Sequence, residues 1–175
     1  MTSNTFFSKP TEFEIKGQKF ILYSEYAFSN MNQIKKISRQ QKDTVYICGL
    51  RIPKGVFSVM VKNGVWQGER EKTHYTTFEK KDGLEERGWH FGTMNYNGIE
   101  ILPILCYEIC FPEDTMKSIY KPDVIVHHIG FPMYDKHQYE AWFALEKSLA
   151  VFYNCPVYAS TGGEEKLGIN GVISV

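Results

Sequence analysis

Apolar and polar positions along the 175-residue chain fall into short blocks whose period changes several times. Residues 19–23, Lys-Phe-Ile-Leu-Tyr, form an aromatic and β-branched run that ends at Ser24-Glu25 and predicts a strand. Met31, Ile34 and Ile37 then recur at helical spacing, with basic residues between them, and predict a helix over 30–40. Residues 44–50, Thr-Val-Tyr-Ile-Cys-Gly-Leu, are nearly all apolar, the pattern of a strand buried on both faces. Segments 56–61 and 65–67 flank Lys62-Asn63-Gly64; Asn-Gly tolerates the positive φ of a type I′ turn, so the pattern predicts a β-hairpin. From 69 to 92 the chain is polar without a clear period and reads as a long loop with short helical pieces. Loops of that length in a compact domain usually carry function.

Residues 99–106 predict another strand, with Pro103 unable to donate to a ladder. Pro112-Glu113-Asp114 suits a helix start, where a missing N–H costs nothing and acidic groups complement the dipole. Residues 123–128 predict a short strand and 156–160 the last one. Between them, 134–153 reads as the longest helix, with Trp142, Leu145, Leu149 and Phe152 on one face. Strands alternating with helices predict an α/β layered arrangement, and the length suits one domain over residues 1–175.

Composition narrows the function. Hydrophobic residues at 43% and aromatics at 15% suffice for a core, and 20 basic residues balance 20 acidic ones. That balance gives no electrostatic reason to expect nucleic acid or an anionic membrane surface as partner. No apolar run approaches the ~18 residues that span a bilayer, and residues 1–17 lack the basic and apolar regions of a signal peptide. The four cysteines, Cys48, Cys106, Cys110 and Cys155, show no paired spacing, so thiols in a reducing cytoplasm are expected rather than a disulfide framework. Cys106, Cys110, His127 and His128 suggest a zinc set only superficially: adjacent histidines on a strand point to opposite faces, and the C-x2-C knuckle is missing. No metal is therefore expected.

Three residues carry the candidate chemistry. Cys106 ends one apolar strand just before a helix start, a corner where α/β folds present functional groups and helix dipoles favour a thiolate. Lys72 lies in Arg70-Glu71-Lys72-Thr73-His74-Tyr75, and Glu25 directly follows the first strand. Taken singly, each has an ordinary reading: a buried thiol acting as a small hydrophobe, a solvated lysine, a rim carboxylate.

Taken together they resemble the nitrilase superfamily of carbon–nitrogen hydrolases. Residues 104–113, Ile-Leu-Cys-Tyr-Glu-Ile-Cys-Phe-Pro-Glu, look like that family's nucleophile motif. Lys72-Thr73-His74-Tyr75 looks like its lysine motif, 34 positions before Cys106, and residues 20–26 resemble the glutamate motif. The resemblance covers residues 19–175 and implies an α-β-β-α sandwich, dimeric or of higher order, that needs no cofactor. It implies Cys106 as nucleophile, Glu25 as proton carrier, and Lys72 with the Tyr107 N–H as oxyanion donors. Glu85 is the candidate second glutamate, with Glu79 and Glu86 as rivals, and the implied substrate is a small amide, carbamoyl compound or nitrile.

The chain departs from the family in several places. Fewer residues than usual precede Glu25, and the chain stops at Val175 where the family continues, so the sandwich is expected to be incomplete at both ends. Cys110 stands where arginine is common, and the long helix lacks the R-A-x-E-N pattern. Two alternatives remain at this level: an inactive nitrilase-like binding or scaffold protein, and a papain-like hydrolase pairing Cys106 with His127 or His137.

Overall fold

The computed structural model describes residues 9–86, 92–117, 121–163 and 167–174. Residues 87–91, most of the stretch resembling the family's link between lysine and cysteine, lie outside the described residues.

Alternation along the strands sorts apolar side chains onto two faces, and two five-stranded sheets result. The first runs β1 (Thr11–Ile15), β2 (Gln18–Leu22), β3 (Thr44–Ile52), β4 (Gly55–Lys62), β5 (Val65–Glu71). The second has the order β10 (Gly171–Ile173), β9 (Val157–Thr161), β8 (Val124–Ile129), β7 (Ile99–Leu105), β6 (Met94–Tyr96). Phe20, Leu22, Val45 and Ile47 of the first sheet pack against Ile101, Val124 and Val126 of the second, so the sheets meet face to face. On the outer face of the first, Ile21, Tyr46, Cys48 and Val59 pack with Ile34 of α1 (Met31–Ser38). On the outer face of the second, Leu102, Ile104, Ile125 and Val157 meet Leu149, Ala150 and Tyr153 of α4 (Lys136–Tyr153). The layers are α-β-β-α, as expected from the resemblance.

The parallel pairs are β2–β3, joined through α1, and β7–β8 and β8–β9, joined through the segment that holds α3 (Pro112–Thr115) and through α4. Because β4 and β5 return in antiparallel hairpins, β2, β3 and β5 all end on one edge of their sheet. Side chains that leave the carboxyl ends of these strands share that edge, the usual place for a site in such sheets. The hairpin turn is as expected, with Asn63 and Gly64 both at positive φ, +46° and +77°.

Several sequence expectations are corrected. β5 continues to Glu71 rather than stopping at Gln67, because Ser58 and Val59 on β4 pair with Arg70 and Glu69 across a bulge at Met60 and Val61. Strands β1, β6 and β10 were not expected; they are three to five residues long and pair at sheet edges, too short to impose a period. In α4 the buried stripe holds Glu146, Leu149 and Tyr153, with Trp142 partly buried, and Phe152 is 56% exposed. Tyr153 takes the inward position next to it, and its hydroxyl donates to the Thr115 carbonyl. Cys110, read from the sequence alone as most simply a core residue like Cys155, is exposed, since Ile109 occupies the interior from that turn, whereas Cys155 is buried.

His127 and His128 face opposite sides of β8, as strand geometry requires. His128 lies between the sheets, where its Nδ1–H donates to the Tyr23 carbonyl at 2.6 Å and its Nε2 accepts from the Ser58 hydroxyl at 2.8 Å. Burial depresses its pKa to about 3. In the unfolded chain the ring titrates near 6.5, so below that pH the unfolded state binds a proton that the folded state refuses. Stability is therefore expected to fall by about 1.4 kcal/mol for each pH unit below 6.5, until about pH 3. His128→Gln, followed by urea unfolding at pH 7 and pH 4.5, is expected to flatten that slope; an unchanged slope would place the loss elsewhere.

Candidate active site

Glu25, Lys72 and Cys106 leave the ends of β2, β5 and β7 respectively, which brings a carboxylate, an ammonium and a thiol to one edge of the sandwich. Glu25 sits where the chain crosses back over β3: Tyr23 N–H bonds the Ile47 carbonyl, Phe28 N–H the Gly49 carbonyl, and Arg51 N–H the Phe28 carbonyl. The crossing is so close that a Cβ on Gly49 would lie 2.1 Å from the Glu25 carbonyl oxygen and 2.2 Å from that of Ser24. Gly49 is thus the residue that lets Glu25 reach the site.

Lys72 is 1% exposed and lies between two buried acids. Its Nζ donates to Glu25 Oε1 at 2.6 Å and to Glu79 Oε1 and Oε2 at 2.8 and 3.0 Å. Glu79 is held from several sides. It belongs to α2 (Thr77–Lys81), where it closes a capping box with Thr76, and it accepts the Tyr26 hydroxyl at 2.7 Å. Glu79 is buried, but the Lys72 ammonium and these donors hold its carboxyl below the usual range. Glu25 goes the other way: complete burial pushes its carboxyl up against the pull of Lys72, and its Oε2 meets no hydrogen-bond partner at bonding distance among the described residues. One acid is favoured as a carboxylate while its neighbour is easier to protonate, an arrangement chemically able to separate proton transfer from electrostatic support.

Cys106 follows β7 with a left-handed backbone, φ +49°, at the start of a tight turn over Cys106–Cys110. A cysteine there is strained, as residues at binding and catalytic sites often are. Glu108 holds the turn down. Fully buried, it accepts from the two terminal guanidinium nitrogens of Arg70, from the Thr73 N–H at 2.7 Å and hydroxyl at 2.9 Å, and from the Leu105 N–H at 2.8 Å. Glu108 therefore ties the segment bearing Lys72 to the turn bearing Cys106. Burial, reinforced by the nearby Glu25 carboxylate, pushes the Cys106 thiol well above its ordinary range, against the pull of Lys72 and the Gly130 N–H. This corrects the expectation of a thiol eased toward thiolate by a helix start; the five-residue turn offers little dipole, and the thiol is protonated until a base removes its hydrogen.

Glycine lets the second sheet approach. A Cβ on Gly130, just after β8, would lie 2.8 Å from Glu25 Oε2 and 2.7 Å from the Tyr26 ring. Cys106, Tyr107 and Glu79 open onto a cleft of about 820 Å3 whose lining includes Tyr26, Phe131, Met133 and Trp142 and the ion pair Arg51–Asp82.

The sequence-derived residues divide as follows. Glu25 and Lys72 are in direct contact, Cys106 lies within their electrostatic reach, and Tyr107 borders the cleft. Glu85 is exposed, and the second acid on Lys72 is Glu79, named beforehand only as a rival. Glu86, the other rival, pairs with Lys80 on the surface at 2.8 Å. Arg70 and Glu108 were missed. The signal for Glu79 was the Thr76-Thr77-Phe78-Glu79 capping pattern, which marks a helix start beside Lys72. His74 bonds Asp114 at 3.0 Å and stacks on Phe111, in keeping with a structural role. His137 is exposed, and His127 meets the carbonyl oxygen of Cys106 at 3.1 Å.

No protein-family model and no curated protein sequence matches the chain. Solved structures do. A carbon-nitrogen hydrolase from Helicobacter pylori G27 superposes with a TM-score of 0.62 at 14% identity, covering 77% of this chain and 51% of that one. An amidase of the nitrilase superfamily from Nesterenkonia sp. AN1 gives 0.65 at 12% identity, covering 81% and 63%. Nit3 of Saccharomyces cerevisiae, also of that superfamily, gives 0.62 at 17%, covering 85% and 58%. The chain spans about half to two thirds of the length of these proteins, and it has the nitrilase-superfamily fold.

Proposed function

We propose that this fold carries a carbon–nitrogen hydrolase centre in which Cys106 is the nucleophile and Glu25, Lys72 and Glu79 serve it. The supporting observation is the buried Lys72 ammonium, locked between two carboxylates of opposite pKa tendency beside a strained cysteine.

Each residue's part follows from its surroundings. Oε2 of Glu25, which accepts no hydrogen bond among the described residues, takes the thiol proton as sulfur attacks the substrate carbon. Lys72, kept charged by its two acids, and the Tyr107 N–H receive the developing oxyanion. Glu25 returns the proton to the departing amine, which leaves an acyl thioester on Cys106. Water then loses a proton to Glu25, attacks the thioester and releases the carboxylic acid, and the proton returns to the thiol. Glu79 holds the ammonium in place and keeps Glu25 from being its sole counter-charge. The apolar, aromatic walls of the cleft favour a small amide with an uncharged acyl group.

Ammonia release from short aliphatic and aromatic primary amides tests this reading. Turnover with loss on alkylation of Cys106 is the expected result. A folded protein that releases no ammonia from any of them, with an inert Cys106, would instead be a binding module built on the fold.

A further inference from the structure

The proposed chemistry leaves a second buried acid–base pair unused. Glu146 stands in the buried stripe of α4 between Trp142 and Leu149, a position where the pattern calls for an apolar residue, and it is 0% exposed. A carboxylate is not retained in such a place without a partner. Its Oε1 lies 2.6 Å from His127 Nδ1, and Oε2 has no hydrogen-bond partner among the described residues. His127, equally buried and partly covered by the Trp142 ring, places Nε2 3.1 Å from the carbonyl oxygen of Cys106.

The protons can be counted from these contacts. A carbonyl oxygen only accepts, so Nε2 carries a hydrogen and donates it. One further hydrogen lies between Nδ1 and the Glu146 carboxyl. The ring is thus committed at both nitrogens and does not take the thiol proton, unlike the histidine of a papain-like pair.

We propose that His127, held by Glu146, is a positioning residue for the oxyanion hole; the inference rests on the hydrolase reading of the site. The peptide between Cys106 and Tyr107 is trans and planar, so its C=O and N–H point in opposite directions. His127 lies in the interior beneath β7 and β8, and its bond draws the carbonyl inward. The same bond turns the Tyr107 N–H outward, to the side where Cys106 and Tyr107 border the cleft. It also steadies a backbone with φ +49°, which a cysteine does not adopt without support. Donation to the carbonyl polarises the whole amide and strengthens its N–H as a donor.

Two reactions of Cys106 separate aim from reactivity, and both are run in a Cys110→Ser background to silence the exposed thiol. Acylation by p-nitrophenyl acetate passes through an oxyanion; alkylation by iodoacetamide displaces iodide directly and forms none. His127→Leu is expected to lower the acylation-to-alkylation rate ratio about 100-fold, the scale of one lost oxyanion donor, with alkylation within about threefold of the parent. His127→Gln, which places an amide N–H near the former Nε2, is expected to recover most of the ratio. Glu146→Leu completes the apolar stripe and keeps the fold if the His127→Leu protein does not, and it is expected to lower the ratio about tenfold by freeing the ring. An unchanged ratio in a folded variant would overturn the proposal, as would acylation and alkylation falling together, because His127 would then act on the thiol. Amide hydrolysis by the parent is measured separately; its absence would overturn the hydrolase reading, while the ester-to-iodoacetamide ratio would still report on His127.

Discussion

Replacing Cys106 with alanine is expected to remove amide hydrolysis, lowering kcat by about 10⁴-fold or more, the scale seen when a covalent nucleophile is deleted. The backbone there is left-handed with φ +49°, and alanine tolerates it no worse than cysteine does, so the folded structure should survive with the same melting temperature. Loss of activity in a folded protein then reports on the sulfur alone. Cys106→Ser should rescue little. In the proposed mechanism Glu25 is the base for a thiol, and the less acidic serine hydroxyl offers it a much harder proton. Hydrolysis at the parent rate by the purified alanine variant would remove Cys106 from the mechanism.

Lys72→Met has the second largest expected effect, and it is felt in both stability and catalysis. Methionine fills the lysine volume but leaves Glu25 and Glu79 buried side by side without their shared cation. Breaking a buried pair from one side costs about 3–5 kcal/mol, since the remaining charge is stranded. Part of that cost is avoided when Glu25, already raised by burial, takes up a proton. The sign follows: without the ammonium the Glu25 carboxyl rises further, and more alkaline solution is needed before it can act as a base. The variant is therefore expected to lose about 10²–10³ in kcat at neutral pH, as for one oxyanion donor, and the rising limb of its pH profile should move to higher pH. Lys72→Arg should not restore activity, because a planar guanidinium does not fit between two acids spaced for a single nitrogen. A profile that falls uniformly without moving would contradict the coupling between Lys72 and Glu25.

The layered architecture and the placing of Glu25, Lys72 and Cys106 on one edge were legible because each rests on local signals. The apolar runs of β3, β7 and β8 are buried on both faces, and the Asn63-Gly64 turn has the backbone its residues demand. Glu25, Lys72 and Cys106 end strands, which marks them for one edge once the strands are layered. What was not legible depends on pairing over long sequence distances. Arg70 meets Glu108 from 38 residues away, and nothing local distinguishes that arginine from a solvated one. Glu85 and Glu79 are both acids in a polar segment, and only the capping box turns Glu79 toward Lys72. Glu146 broke the apolar stripe of α4 and went unremarked, because the histidine that explains it is on a different element. The thiol's upward shift was equally hidden: strand-end position was visible, whereas partial burial beside a carboxylate was not.

Acid quenching during turnover of an aliphatic amide, followed by intact-mass and peptide mass spectrometry, tests the covalent chemistry directly. The account predicts a mass increase equal to the acyl group, confined to the peptide bearing Cys106 and discharged by hydroxylamine, as a thioester requires. Steady ammonia release with Cys106 unmodified, or an acyl group shared equally with the exposed Cys110, would contradict it.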